Sequence, residues 1–523
     1  MTAAVALSTA DVAASHTLLG CLAREVCGPE RQITITDGYA LVRLPRSDVL
    51  LRCEVARMSA VGAHRYTGPV QRLSGDLWSP VTATDLATLV GDELRLRTGF
   101  PNEEFVTQVA ASRDALQRVL LHRPAADPQP TGDPVTDSYV DSEQSLVYGH
   151  PRHPTPKWRS GDTEAWDTYA PELRTTVQAH WIGVPRSLLA EDGPFDQLIS
   201  ALQPPPAPPG HVPLPVHPWQ YRLAGPLDPR LRDLGVGGAT LRPTASVRTL
   251  YAPGADLFVK TSLHVRITNC LRKNARYELT GAVALTRLLS GVPLAPGTAL
   301  LPEPAYRTVD VPGLDETFGV ILRGGLRGHL RPGDIPVLAA ALAASPLQLA
   351  DPVGWWRAYT KLLVPAILGL WAEHGVVHEA HLQNVVVVLN ADRHPIRMLL
   401  RDLEGVKLDT ERRADWLCGL PSSIGYHPEQ AFNRVAYCLF VNHLAELAGA
   451  LADAHPGIEA QLWAALRDVV SETTRALGSP PQLRAVLAGV PLPAKGNLLV
   501  RWQRDADRHA GYVPFPNPLG QAL

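Results

Sequence analysis

Four short segments concentrate residues that can bind or transform a charged substrate. His150–Gly161 reads H-P-x-H-P-x-x-K-x-R-x-G, with three prolines stiffening a stretch that ends in Lys157, Arg159, Ser160 and Gly161. A rigid loop presenting a point charge, a guanidinium fork and close-approaching backbone suits a polyphosphate, with His150 at its head. The same pattern also describes a proline-rich surface loop with solvated bases. Ser246–Arg272 places Ser246 and Arg248 at the end of one strand region and Lys260 on the next. A helix is expected from Thr268 and Asn269, with Arg272 one turn in. A helix start offers free N–H groups and a positive dipole end to an anion, although a Thr/Asn cap with exposed arginines has the same composition. His378–Asn384 (HEAHLQN) precedes two apolar runs and then Arg401-Asp402-Leu403-Glu404-Gly405. Glu379, Asn384, Asp402 and Glu404 are hard-oxygen ligands of the kind magnesium takes. The His378/His381 pair lacks a third partner, which disfavours zinc. Lys495 and Arg501 flank an apolar, strand-like run near the C-terminus, a pattern that an exposed turn shares.

Lysine usage sharpens the selection. Of 49 basic residues only six are lysines, and three of them, Lys157, Lys260 and Lys495, fall in these segments. A compact ammonium approaches phosphate or carboxylate oxygens where a planar guanidinium does not fit. The third segment resembles the catalytic and metal loops of the kinase-like fold, in which H-x-D-x-x-x-x-N precedes a strand and an Asp follows the next one. Aligned on Asn384, the position of the catalytic Asp holds Glu379 and that of the first His holds Val377, so the catalytic Asp itself is missing.

The elements that must position these residues alternate along the chain. An amphipathic helix is expected over Ser8–Cys27, closed by Gly28. Strands Gln32–Ile35 and Tyr39–Leu44 meet in a hairpin about Asp37-Gly38. Helices follow over Thr84–Leu96 and Glu103–Leu121, then a loop over Pro124–Pro134 and a helix near Ser138–Tyr148. The polyproline run Gln203–Gly210 leads to a turn at His217–Gln220. Strands are expected near Ser246–Tyr251, Leu257–Thr261 and Thr317–Leu322, with a long helix from Thr268 to Leu289. An apolar helix Trp355–His374, capped by Gly375, precedes strands Val385–Leu389 and Ile396–Leu400. Helices over Glu429–Ala454, Ile458–Leu477 and Pro481–Ala488 follow.

The chain of 523 residues is 45% hydrophobic and 19% charged, which excludes a mainly disordered protein. Its net charge of −2 excludes a chain-wide basic footprint for nucleic acid. The apolar stretches Leu362–Ala372 and Ile335–Ala350 are too short or too interrupted to span a bilayer. No signal-peptide pattern opens the sequence. Six scattered cysteines without C-x-x-C read as reduced, buried thiols. The expectation is a cytoplasmic protein with no membrane and no nucleic-acid partner.

Together and in this order, the four segments resemble the IucA/IucC family of siderophore synthetases that work without a nonribosomal peptide synthetase. The likeness rests on HPxHPxxKxRxG, on K-T-S…T-N-x-x-R and on H-x-x-H-x-Q-N…R-D-x-E-G, and runs from about His150 to Asn517-Pro518-Leu519. The resemblance implies an α+β (mixed α/β) fold shaped as a cupped hand. It puts a thumb-like lobe at 1–125, fingers at 126–350 and a kinase-like palm at 351–523. It implies ATP-dependent, magnesium-assisted adenylation of citrate or a citrate derivative, then displacement of AMP by an amine or alcohol, in a homodimer. Carried over, His150, Lys157, Arg159, Ser160, Ser246, Arg248 and Lys260 hold the nucleotide. Thr268, Asn269 and Arg272 lie between triphosphate and acid. His381, Gln383 and Asn384 contact phosphates. Thr268, Arg272, Arg434, Lys495 and Arg501 reach the substrate, and Lys260, Arg272 and His381 act in catalysis. Glu379, Asn384, Asp402 and Glu404 form the magnesium set. Two other readings fit parts of the pattern: a small-molecule phosphotransferase, from the kinase-like loop, and a non-catalytic binder of citrate or iron-citrate.

Overall fold

A computed structural model describes residues 7–268, 270–345, 347–504 and 511–520. The fold mixes helices and strands, as expected. Ser8 caps the first helix, Thr9–Leu22, by accepting from the Asp11 N–H. Asp37 and Gly38, both at positive φ, turn strand Ile33–Thr36 into Tyr39–Leu44. Three strands absent from the sequence reading, Val49–Arg57, Arg65–Ser74 and Leu77–Pro80, extend this hairpin into a five-stranded antiparallel meander. Helices Thr9–Leu22, Ala83–Thr98 and Glu104–His122 cover one face and share its core. Leu498 and Trp502, from the far end of the chain, complete that core.

An eight-stranded antiparallel sheet forms the middle of the molecule. Its central strands, Val320–Gly324, Leu257–Thr261 and Thr249–Ala252, are neighbours in that order. A four-stranded sheet follows, in which Val385–Leu389 lies between Ile335–Leu338 and Pro395–Leu400, and Thr298–Leu300 pairs parallel with the last of these. Helix Pro352–His374 packs into the same core; Asp351 caps its start, and Gly375 at φ 61° ends it.

Several boundaries move. The helix expected near Ser138–Tyr148 runs over Pro134–Gln144, because Asp133 caps it with Pro134 in its first turn. The turn at His217–Gln220 opens a short helix, Pro218–Leu223, capped by the His217 ring. The largest correction concerns Thr268. Leu263–Ile267 and Cys270–Arg272 form a β-hairpin with Thr268 at φ 55°, and the helix begins only at Arg276. Asn274 explains the delay: its side-chain amide donates to the carbonyls of Lys260 and Gly319, and its N–H donates to Ser262 Oγ. Those bonds tie the chain to the central sheet until Ala275. Thr268 is therefore not a helix start, and Arg272 lies on a strand. Asn269 lies outside the described residues.

No disulfide joins the described cysteines. Cys21, Cys27, Cys53 and Cys438 are buried, while Cys270 is half-buried and Cys418 exposed, against the expectation that all six are buried. Helix Pro428–Ala454, not the two stretches weighed from the sequence, has the length and composition to cross a membrane; 83% of its apolar window is buried inside the protein.

Candidate active site

Lys260 stands at the centre of a ring of six charged side chains where the two sheets meet. Its ammonium binds both Asp402 and Glu404. Arg248 reaches Glu404 at 3.3 Å. Arg323 reaches Asp402 at 2.7 Å and Glu303 at 2.6 Å. Glu303 closes the ring by accepting the Glu404 backbone N–H at 2.9 Å. Two strands of the central sheet, the turn before Thr249–Ala252, the loop before Ala305–Val309 and the loop after Pro395–Leu400 are thus joined by three cations and three carboxylates.

Local backbone aims these groups. Val247, β-branched and at φ 65°, makes the tight turn between Ser246 and Arg248. Ser246 Oγ accepts the Thr249 N–H at 3.2 Å, which closes that turn. Asp402 itself sits at φ 77°. Arg248 also donates to Asn274 Oδ1 at 2.6 Å, the same asparagine that delays the helix.

Electrostatics follow from burial and pairing. Burial opposes ionisation of Asp402, yet Lys260 and Arg323 hold its carboxyl well below the usual range. Burial likewise works against Glu404, which Lys260 and Arg248 lower. Burial alone would lower the Lys260 pKa; Asp402 and Glu404 raise it.

The HEAHLQN loop borders this ring. His378 is buried, with Nε2 on the Arg401 carbonyl at 3.1 Å, so it supports the loop. His381 is half-buried and its Nδ1 accepts the Gln383 N–H at 3.3 Å. Burial lowers its pKa, which favours a neutral imidazole at neutral pH. Asn384 donates to the Glu379 carbonyl at 3.2 Å. The Glu379 carboxylate pairs with Arg434 at 3.4 Å. A Cβ on Gly405 would lie 3.9 Å from both Asp402 Oδ2 and Glu379 Oε2, so both carboxylates border that glycine.

Among the described residues, no group of three His, Cys, Asp or Glu side chains is arranged to hold a metal by itself. The carboxylates of Asp402 and Glu404 are hard-oxygen donors of the kind that magnesium takes, and both are bound to Lys260.

A second basic cluster lies on the His150–Gly161 loop. Lys157 is buried and bound to Glu172 and to the Leu146 carbonyl at 2.5 Å, so it anchors the loop. Burial would raise Glu172, but Lys157 and Arg159 pull it down to about 2. Arg159 donates to Glu172 at 3.2 Å and stacks on Trp166, while its Nε and Nη1 are buried with no hydrogen-bond partner among the described residues. Burial lowers its pKa to about 10. Arg272 lies close enough to depress Arg159 further, and Arg272 Nε is also buried without a partner. Ser160 exchanges hydrogen bonds with the Arg266 backbone, which ties this loop to the Thr268 hairpin.

His150 bridges the Arg152 N–H and the Asn442 amide, and burial drops its pKa to about 4. Lys495 is buried at the end of strand Leu492–Lys495. The run after it is a helix, Asn497–Gln503, and not the strand expected. Glu25, from the first helical segment, accepts the N–H groups of Leu498 and Leu499 at 2.8 and 3.0 Å. This cap leaves Arg501 on the inner face, stacked on Trp158 at 4.0 Å and donating to the Thr268 carbonyl at 2.9 Å.

Sequence reasoning missed Glu303, Arg323, Glu172 and Glu25. One signal was available: Glu303 is a lone acid between Pro302 and Pro304 in an apolar stretch, where a charge needs a buried partner.

Comparison with known proteins bears on this site. Residues 138–344 match the model of the IucA / IucC family. Residues 354–510 match a model described as ferric iron reductase FhuF-like transporter. The chain belongs to the IucA/IucC family. It is 31% identical over 394 residues to the L-2,3-diaminopropanoate–citrate ligase of Staphylococcus aureus, covering 66% of this chain and 68% of that protein. It is 28% identical to a rhizobactin siderophore biosynthesis protein of Rhizobium meliloti over 96% of each. Its fold matches ATP-bound aerobactin synthetase IucA of a hypervirulent Klebsiella pneumoniae pathotype, with a TM-score of 0.84 and 23% identity over 97% and 99% of the two chains.

Proposed function

We propose that this chain is an ATP-dependent ligase of siderophore assembly, joining a carboxylate of citrate or a citrate derivative to an amine. Family membership and the names of its relatives, which include citrate ligases, support the reading. The observation that carries it is the pairing of two buried charge clusters. Among the described residues, Arg159 and Arg272 keep buried guanidinium N–H groups without hydrogen-bond partners, an arrangement that suits an anion. The Lys260 ring adds three buried cations, Lys260, Arg248 and Arg323, each held in place by a carboxylate.

The chemistry asks the protein for positioning and charge compensation. A carboxylate oxygen of the acid attacks the α-phosphorus of ATP, and pyrophosphate leaves with the electrons of the broken P–O bond. The amine then attacks the acyl carbon, loses a proton, and AMP departs. Arg248 and Lys260 face the triphosphate, with His381, Gln383 and Asn384 alongside. Arg159 lies on the nucleotide side next to Arg272, Arg272 and Thr268 take the acid, and Arg434 and Lys495 extend the substrate side. Asp402 and Glu404, with Glu379 and Asn384 near them, would hold magnesium, which spreads the charge of the phosphates. Neutral His381 is suited to accept a proton from the attacking amine.

The test is product analysis with citrate, ATP and an amine. AMP and pyrophosphate are expected, with citrate-dependent exchange of pyrophosphate into ATP before any amine is added. Formation of ADP and a phosphorylated product would establish the phosphotransferase reading instead. No ATP turnover with citrate and a panel of amines would leave a binder.

A further inference from the structure

The short helix Pro218–Leu223 lies outside the four charged segments, yet it touches two of them. Its start is fixed locally: the His217 ring accepts the Trp219 N–H at 3.1 Å, and Pro218 stands where an N–H would have no helical partner. Trp219 is buried, stacks on Tyr169 and faces Gly161, the last residue of the first basic loop; a Cβ on Gly161 would lie 3.3 Å from the indole. Gln220 is fully buried. Its Oε1 accepts the His264 N–H at 2.7 Å, and its Nε2 donates to the Thr317 carbonyl at 3.2 Å.

His264 marks an irregularity in the Thr268 hairpin. Leu263 is paired with Arg272 and Arg266 with Leu271, so His264 and Val265 have no counterpart on the other strand. A bulge of this kind leaves backbone groups unpaired and redirects the side chains beside it. The Gln220 oxygen takes the N–H of the first extra residue. Val265, the second, is buried in the core, and beyond it Ser160 Oγ takes the Arg266 N–H at 2.8 Å. The residue paired at the point where the bulge begins is Arg272.

The geometry points to Gln220 as the positioning residue for Arg272: by holding the His264 bulge it sets where the Arg272 guanidinium stands. The inference rests on the ligase reading, in which Arg272 meets the acid, and adds to it a buried residue that acts through another. A primary amide is the group for this task, since it accepts and donates at once. Without it the His264 N–H and the Thr317 carbonyl both lose their partner. A hairpin that closes the bulge to satisfy the His264 N–H shifts its register, and Arg272 moves with it.

The test is a double-mutant cycle read in citrate-dependent pyrophosphate exchange. Gln220→Met keeps the side-chain length and loses both bonds; it is expected to lower kcat/KM for citrate about 10- to 100-fold while KM for ATP stays within about twofold. Gln220→Asn, which withdraws the amide by one methylene, should fall alongside it, so that either variant serves if the other fails to fold. Gln220→Glu keeps an oxygen for the His264 N–H in either protonation state and should recover most of the loss. In an Arg272→Lys background, Gln220→Met should cost about threefold or less, because the group it serves is already gone. Unchanged kcat/KM for citrate in both shortened and apolar variants would overturn the inference. So would a full, additive loss in the Arg272→Lys background, or a KM for ATP that rises as far as that for citrate, since either shows general support of the fold. If the native protein shows no exchange, the ligase reading falls, and amide hydrogen exchange over residues 262–273 judges the inference by itself. Loss of protection there in Gln220→Met, with other fragments unchanged, supports it, and unchanged protection overturns it.

Discussion

Lys260→Met removes the ammonium from the middle of the six-charge ring while keeping an unbranched stem. Three cations against three carboxylates become two against three. Arg323 still meets Asp402 at 2.7 Å and Arg248 still meets Glu404 at 3.3 Å, but the two acids lose the cation they share. Removing one member of a buried ionic network costs roughly 3–5 kcal/mol. The loss carries a pH signature. In the native protein Asp402 and Glu404 have lowered pKa values, so their contribution is complete above the ordinary carboxylate range and fades only in acid. Without Lys260, burial and mutual repulsion push one carboxylate up. The folded variant then takes up a proton that its unfolded chain does not hold. Its deficit is largest above neutrality and shrinks as pH falls through the raised value. Urea denaturation of both proteins at about pH 5.5 and about pH 8 reads this slope. Citrate-dependent pyrophosphate exchange reads the catalytic loss, expected at about 100-fold or more. A deficit below about 1 kcal/mol that is equal at both pH values, with exchange unchanged, would refute the ring as an energetic unit.

Glu25, 1% exposed beneath the C-terminal helix, is pushed by burial from 4.5 to about 7. A raised folded value means that its contribution is full below the unfolded pKa and is lost as pH rises through about 7, a change of about 3 kcal/mol. Glu25→Gln should therefore flatten the stability profile between about pH 5 and about pH 8, and an unchanged slope would exclude the assignment. Arg401 binds Glu143, Tyr139 OH at 2.7 Å and the Gln383 carbonyl at 2.9 Å. Arg401→Met should lose roughly 3–5 kcal/mol, and adding Glu143→Leu should recover part of it; additive losses in a double-mutant cycle would show that the two do not act as a pair.

Local chemistry was legible and long-range pairing was not. Asp37-Gly38, the Gly375 cap and the run of valines at Val385–Val388 carry their structure in two to five neighbouring residues, so those elements emerge where the sequence puts them. The Thr268 helix failed because its apparent cap was judged without Asn274, whose partners are 14 and 45 residues away. The Lys495–Arg501 run is apolar enough for a strand; Glu25, 473 residues earlier, makes it a helix by capping its first N–H groups. Lys260, Asp402 and Glu404 could be named as chemical residues from their motifs. That they bind one another through a shared ring with Glu303 and Arg323 depends on the docking of two sheets, which no linear spacing encodes. Lys157 shows the converse: its motif marks it, but a buried acid holds it.

The Glu25 contact has a consequence for how the chain is made. The N-terminal meander and its helices are translated early, yet their core lacks Leu498 and Trp502 until the helix Asn497–Gln503 arrives. On a ribosome adding about 5–20 residues per second, that wait lasts tens of seconds. Through it, the surface that will receive the tryptophan stays open and the Glu25 carboxylate has no backbone to cap. The early unit is thus a docking platform kept waiting for a late segment. Ribosomes stalled anywhere before Asn497 would carry a chain whose N-terminal core still lacks Leu498 and Trp502.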